Sequence, residues 1–179
     1  MPEKFKGFIQ VYTGDGKGKT TAALGLALRA AGRGLRTYFG QFLKGRPAGE
    51  ALAAASLAPL LVIETFGRKG FVIVRKEDGP ADEDVALAES GLALCRKAML
   101  SGKYDIVVLD EVCVAVDLKV LPEAKVLEFL DEKPAGVEVV LTGRHATPAL
   151  CERADLVTEM TGRKHYFAKG VRARDGIER

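Results

Sequence analysis

Phe8-Ile9-Gln10-Val11-Tyr12-Thr13-Gly14-Asp15-Gly16-Lys17-Gly18-Lys19-Thr20-Thr21-Ala22-Ala23-Leu24 joins an apolar, β-type run to an Ala/Leu-rich, helix-type run through a turn with three glycines. That context makes Gly18-Lys19-Thr20 a phosphate loop rather than a loose pattern match. Glycines let backbone N–H groups approach an anion without Cβ clashes, and the following helix adds the positive end of its dipole. Lys19 supplies a point charge for phosphates, and the Thr20 hydroxyl is the group that ligates Mg²⁺ in such loops. The candidate nucleotide contacts are therefore Thr13, Gly14, Asp15, Gly16, Lys17, Gly18, Lys19, Thr20 and Thr21. The general pattern G-x-x-x-x-G-K-[ST] requires a glycine at position 13. Thr13 stands there, and Gly14 follows one residue late, so the loop encloses less of a polyphosphate.

Working outward, short strand-type runs alternate with helix-type runs. The strands are expected at Phe8–Tyr12, Arg36–Phe42, Leu60–Thr65, Ile106–Leu109, Val137–Leu141 and Leu156–Glu159. The helices are expected at Lys19–Ala31, Asp82–Leu100 and Pro122–Asp131, with a short one from Thr147-Pro148. In the second helix Val85, Ala88, Leu92 and Cys95 recur at helical spacing, as do Ala86, Leu94 and Met99. Gly136 is placed to end the helix before Val137. Near-continuous apolar strands such as Ile106-Val107-Val108-Leu109 indicate burial on both faces, hence a parallel sheet between helices. The fold class is α/β: a doubly wound, mostly parallel sheet flanked by helices, P-loop NTPase-like (RecA-like). The 179 residues form one domain, 1–179, with 163–179 as a mobile C-terminal segment. Residues 67–84 are the longest irregular stretch, and loops of that length are often functional.

The strand ending Leu109-Asp110-Glu111 delivers carboxylates to the same sheet edge as the phosphate loop. One of them suffices for Mg²⁺ on a polyphosphate. Glu111 either holds metal or activates water. Gln41, Lys44 and Arg46 follow the second strand onto that edge, as Arg144 and His145 follow the fifth. Arg144 is a candidate for a terminal phosphate. Arg29 either reaches the site or is solvated.

Composition narrows the function classes. Hydrophobic residues make up 47% and charged residues 28%, the balance of a soluble globular protein. The longest nearly apolar run, Ala51 to Ile63, is interrupted by Ser56 and Pro59 and falls short of the roughly 20 residues a bilayer span needs. The first six residues have no apolar core of a secretory signal. Cys95, Cys113 and Cys151 are widely spaced and odd in number, which fits buried thiols in a reducing cytoplasm. A formal charge of +3 is too mild to argue for nucleic acid. Basic residues do gather at Arg163, Lys164, Lys169, Arg172, Arg174 and Arg179.

Together these motifs resemble the ATP:corrinoid adenosyltransferases. The matching pieces are Thr13 to Ala23 with its shortened loop, Gln41-Phe42-Leu43-Lys44-Gly45, Val108-Leu109-Asp110-Glu111 and Leu141-Thr142-Gly143-Arg144. They continue with Ala154 to Met160 and Lys164 to Glu178, in the family's order along nearly the whole chain. The resemblance implies transfer of the 5′-deoxyadenosyl group of ATP to the Co(I) of a reduced corrinoid, with release of triphosphate. The corrinoid would be cobalamin or cob(I)yrinic acid a,c-diamide. No protein nucleophile or water-activating base is required, because the corrinoid brings the electron pair. The resemblance implies Lys19, Thr20, Glu111 and Phe71 as catalytic and Thr20 and Glu111 as ligands of Mg²⁺, for which Mn²⁺ can substitute. Asp110 would support them, and Arg29 and Arg144 would contact ATP. It further implies a cytoplasmic homodimer and a flavoprotein electron donor.

One departure stands out. Family members commonly carry Gly-Phe-Thr-Trp after the third strand, to displace the lower cobalt ligand. Here the segment is Gly70-Phe71-Val72-Ile73, in a chain with no Trp. Phe71 matches, and Ile73 replaces a flat ring by an aliphatic wall. The other reading of this segment is a strand packed in the core. The basic end is either a solvated tail or a cover for the corrinoid's polar arms. A small-molecule kinase or ATPase, and a non-enzymatic nucleotide-switched binding module, are the alternative functions.

Overall fold

The computed structural model describes residues 6–46, 48–68 and 79–178. Its strands are β1 (Ile9–Thr13), β2 (Thr37–Phe42), β3 (Leu61–Phe66), β4 (Ile106–Asp110), β5 (Glu138–Thr142) and β6 (Leu156–Glu159). They form one sheet in the order β3-β2-β4-β5-β1-β6, every adjacent pair parallel. The six expected strands all form, most of them displaced by one residue.

The helices are α1 (Lys19–Ala31), α2 (Gly49–Ala54), α3 (Asp82–Leu100), α4 (Val112–Asp117), α5 (Glu123–Asp131) and α6 (Pro148–Arg153). On one face of the sheet, α1 presents Ala23, Ala27 and Ala30 and α2 presents Ala54 to Phe39, Ile106, Val108 and Val140. The small side chains bring α1 close to the strands. On the other face α3 to α6 contribute Ala88, Leu92, Cys95, Val112, Phe129 and Leu150 to a larger cluster around Val11, Val107, Leu109 and Leu141. Full burial of a side chain such as Phe129 stabilises the fold by roughly 2 kcal/mol. Strands β2, β4 and β5 are buried throughout, their polar Thr37, Gln41, Asp110, Glu138 and Thr142 included, whereas the edge strand β6 is exposed throughout.

Some local readings differ. Helix α5 ends at Asp131, as expected, but Gly136 is not its stop: Pro134, with no N–H to continue the ladder, comes first. The apolar run from Ala51 resolves into most of α2, a 3-10 turn at Ala55–Leu57 and the start of β3. Within α3, Ala88, Leu92, Cys95 and Met99 are buried, while Ala86 and Leu94 face outward. Helix α4 starts one residue after β4, where no helix was expected. Most of the irregular stretch 67–84, including Phe71 and Ile73, lies outside the described residues.

Candidate active site

The C-terminal ends of the parallel strands gather one polar row on the α1 face. Gln41 of β2 lies in register with Asp110 of β4, and Thr142 of β5 with Tyr12 of β1. Gln41, Asp110 and Thr142 are buried in a region that is otherwise apolar, so each needs a partner. Asp110 supplies most of them: its Oδ1 accepts from Thr20 Oγ1 at 2.9 Å and Thr142 Oγ1 at 2.7 Å, and its Oδ2 accepts from Gln41 Nε2 at 3.2 Å. Thr20 opens α1, so this network ties the phosphate loop to the acidic strand end across the intervening β5.

Glu111 follows Asp110 in the left-handed conformation (φ 61°), and its N–H donates to Thr142 Oγ1 at 2.9 Å. Burial pushes the Glu111 carboxyl above its ordinary range, and the neighbouring Asp110 pushes it further. Burial raises Asp110 too, against the hydrogen bonds from Thr142, Thr20 and Gln41. Lys19 is buried, and that burial lowers its pKa despite Glu111 nearby. Its Nζ donates to the carbonyl oxygens of Gly14 (2.6 Å) and Gly16 (2.8 Å). Lysine, threonine and two carboxylates thus share one patch at the mouth of α1.

The loop is shaped by the chain that follows β6. Gly16 N–H donates to the Met160 carbonyl at 2.7 Å, and Met160 N–H donates to the Thr13 carbonyl at 2.8 Å. A Cβ on Gly14 or Gly16 would stand 2.4 or 2.7 Å from the Met160 oxygen. The glycines therefore admit a neighbouring backbone as well as freeing the loop's own. Thr13, at the position of the missing glycine, uses its hydroxyl to accept from Ala146 N–H at 3.1 Å. This bond fastens the β5–α6 loop, which carries Arg144 and His145, to the phosphate loop. His145 of the same loop is hydrogen-bonded through Nδ1 to Asp117 of α4 at 2.8 Å, and its Nε2 lies 3.7 Å from the exposed Asp15 carboxylate.

Lys17 points away from the carboxylate patch. Its Nζ donates to Tyr166 Oη (3.0 Å), Glu178 Oε1 (2.8 Å) and the Ile177 carbonyl (3.4 Å). Arg174 lies over the Tyr166 ring and pairs with Glu178, and Tyr166 hydrogen-bonds to Glu178 as well. Arg174 first, then Lys17 and Tyr166, hold the Glu178 carboxyl far below the usual range. The basic C-terminal residues 163–178 are thus docked on the loop through a charged cluster.

Not every expected contact converges. Arg144 is exposed, but its charge acts on both Lys19 and Glu111. Arg29 is exposed about three turns along α1, and its charge acts on Tyr12. Thr21 and Asp15 are exposed on the loop. Lys44 pairs with Glu50 of α2, whose side chain also accepts from Gln41. Burial alone would raise Glu50, but Lys44 and Gln41 bring it below the carboxylate range. Sequence reasoning assigned no role to Thr142, Glu50, Tyr166 or Glu178. A polar residue ending an otherwise apolar strand was the available signal for Thr142. The partners of Lys17 are about 150 residues away in the chain and left no local sign.

Among the described residues no group of three or more His, Cys, Asp and Glu could hold a metal ion by itself. No helix among them is long and apolar enough to cross a membrane.

The chain is similar to several known proteins. Residues 5–179 match the family model described as ATP:corrinoid adenosyltransferase BtuR/CobO/CobP. A corrinoid adenosyltransferase of Sinorhizobium sp is 38% identical over 176 residues, covering 97% of this chain and 80% of the relative. One from Pseudomonas aeruginosa is 34% identical over 173 residues (97% and 84%). One from Escherichia coli K12 is 38% identical over 181 residues (97% and 86%). Among solved structures, a KaiC-like protein of Pyrococcus horikoshii superposes with a TM-score of 0.58 at 18% identity, covering 89% of this chain and 75% of that one. At that identity the likeness concerns the fold alone.

Proposed function

The chain belongs to the ATP:corrinoid adenosyltransferase family, and from that premise we propose that it moves the 5′-deoxyadenosyl group of ATP onto the Co(I) of a reduced corrinoid. The cobalt lone pair forms the Co–C5′ bond, the C5′–O bond breaks, and that electron pair leaves with triphosphate. The observation that carries this reading is the match along residues 5–179. The geometry of the loop edge supplies a physical account of it.

The protein's task is to orient C5′ and to neutralise charge growing on the leaving triphosphate. Lys19 is placed for that at the base of the loop, and the charge of Arg144 reaches the same patch. The Thr20 hydroxyl, which donates its hydrogen bond to Asp110, has lone pairs free for a cation, and burial makes an added positive charge beside Asp110 and Glu111 favourable. This all-oxygen donor set fits Mg²⁺, with Mn²⁺ as substitute, held by Thr20 and Glu111 and supported by Asp110. When bound, the cation would supply Lewis-acid neutralisation of the phosphate oxygens. Thr13, Gly14, Asp15, Gly16, Gly18, Thr21 and Arg29 complete the ATP assignment by resemblance, with Lys17 joining them only on release from the C-terminal cluster that holds it. Phe71 is assigned to the corrinoid's lower face by resemblance alone.

The same reading takes cobalamin or cob(I)yrinic acid a,c-diamide as the corrinoid, a flavoprotein as electron donor, and a homodimer in the cytoplasm. Exposed Leu156 and Val157 on β6, with Phe167 beyond it, support a second copy at this edge. Anaerobic incubation with ATP, Mg²⁺ and chemically reduced cobalamin tests the proposal. It should yield a light-sensitive adenosylated corrinoid and intact triphosphate, whereas ADP and phosphate would indicate a kinase or ATPase.

A further inference from the structure

We infer that Thr142 is a positioning residue for the transfer site: its one hydroxyl sets both acidic residues at the end of β4, and through them the place of the divalent cation. The inference rests on the function proposed above. Thr142 ends β5, the strand between the phosphate-loop strand and the acidic strand, and is fully buried.

A threonine hydroxyl has one proton and two lone pairs. The proton of Thr142 goes to Asp110 Oδ1 at 2.7 Å, and a lone pair receives the Glu111 N–H at 2.9 Å. The first bond orients the side chain of Asp110, which in turn accepts from Thr20. The second holds the backbone of Glu111 where φ is 61°. A residue with a Cβ keeps such a conformation only when its surroundings impose it. Thr142 thereby connects the two candidate metal ligands, orienting Thr20 through Asp110 and Glu111 through its own N–H. Neither valine nor alanine can make either bond, and serine can make both. A residue that merely filled space would respond in the opposite order, since valine keeps the shape and serine does not.

Calorimetric titration of ATP into the full-length protein, with Mg²⁺ and separately with EDTA, tests this without corrinoid and so without turnover. In the unmodified protein Mg²⁺ should tighten ATP binding. Thr142→Val should lose about tenfold or more of that tightening, while its affinity in EDTA stays within about twofold. Thr142→Ser should keep the tightening. In the adenosyl-transfer assay, Thr142→Val should lower kcat by roughly 10–100-fold, with partial recovery at high Mg²⁺. Should a thermal melt show the valine variant unfolded, Thr142→Ala carries the same comparison.

A wild-type Mg²⁺ effect in the valine or alanine variant overturns the inference, and so does a serine variant as impaired as valine. If Mg²⁺ has no effect on the unmodified protein, the metal assignment and this role fall together. Protein that shows the expected Mg²⁺ pattern but makes no adenosylated corrinoid overturns the function and leaves the positioning role intact.

Discussion

The hydroxyl of Thr13 accepts a hydrogen bond from the Ala146 N–H at 3.1 Å, so the residue replacing a glycine of the general motif tethers the phosphate loop to the loop bearing Arg144. A net contribution of about 1 kcal/mol is ordinary for such a bond. Thr13→Val should therefore leave the fold intact and raise KM for ATP about fivefold, with a smaller change in kcat. Steady-state kinetics at saturating corrinoid check this. An unchanged KM would show that the tether does not position the nucleotide site.

The two loop lysines should separate. Lys19 sits in the carboxylate patch, and Lys17 on the C-terminal cluster. Lys19→Ala should reduce turnover by about 100-fold or more, in the range seen when a group stabilising transition-state charge is removed. Glu178→Gln should change activity only a few-fold, because exposed ion pairs contribute little, and hydrogen exchange should show residues 163–178 opening faster. Full activity in Lys19→Ala would misplace the triphosphate.

Burial holds Asp110 and Glu111 above their ordinary values of 3.8 and 4.5. A native carboxyl raised in this way contributes stability that is present below the unfolded pKa and is lost as pH rises through the native one. In EDTA, the denaturation midpoint should fall as pH rises from about 4 through the raised native values. Asp110→Asn should flatten that fall while lowering turnover. A variant with the original slope would show that the pair is not the source.

Burial raises the Cys113 thiol to about 12 and raises Cys95 further, whereas Cys151 is partly exposed. Reactivity follows the exposed thiolate. At pH 8, a thiol reagent should modify Cys151 alone in the native protein and all three cysteines in denaturant. By the same linkage, alkaline stability should decline from about pH 9, the ordinary thiol value, through the raised native values. Rapid native labelling of Cys113 would contradict its burial.

The amino-acid order by itself determined the alternation of strands and helices, the phosphate loop between β1 and α1, and the arrival of Asp110 and Glu111 at the loop edge. Each of these is a local matter of apolar periodicity, backbone freedom and residue chemistry within about ten positions. Only the tertiary structure decided the partners. Thr142 reaches Asp110 and Glu111 because a parallel sheet puts β5 beside β4. Thr13 meets Ala146, and Lys17 meets Tyr166 and Glu178, across more than 130 residues of chain. Such pairings are set by strand order, register and the packing of the last segment on the loop, and no periodicity near either residue encodes them.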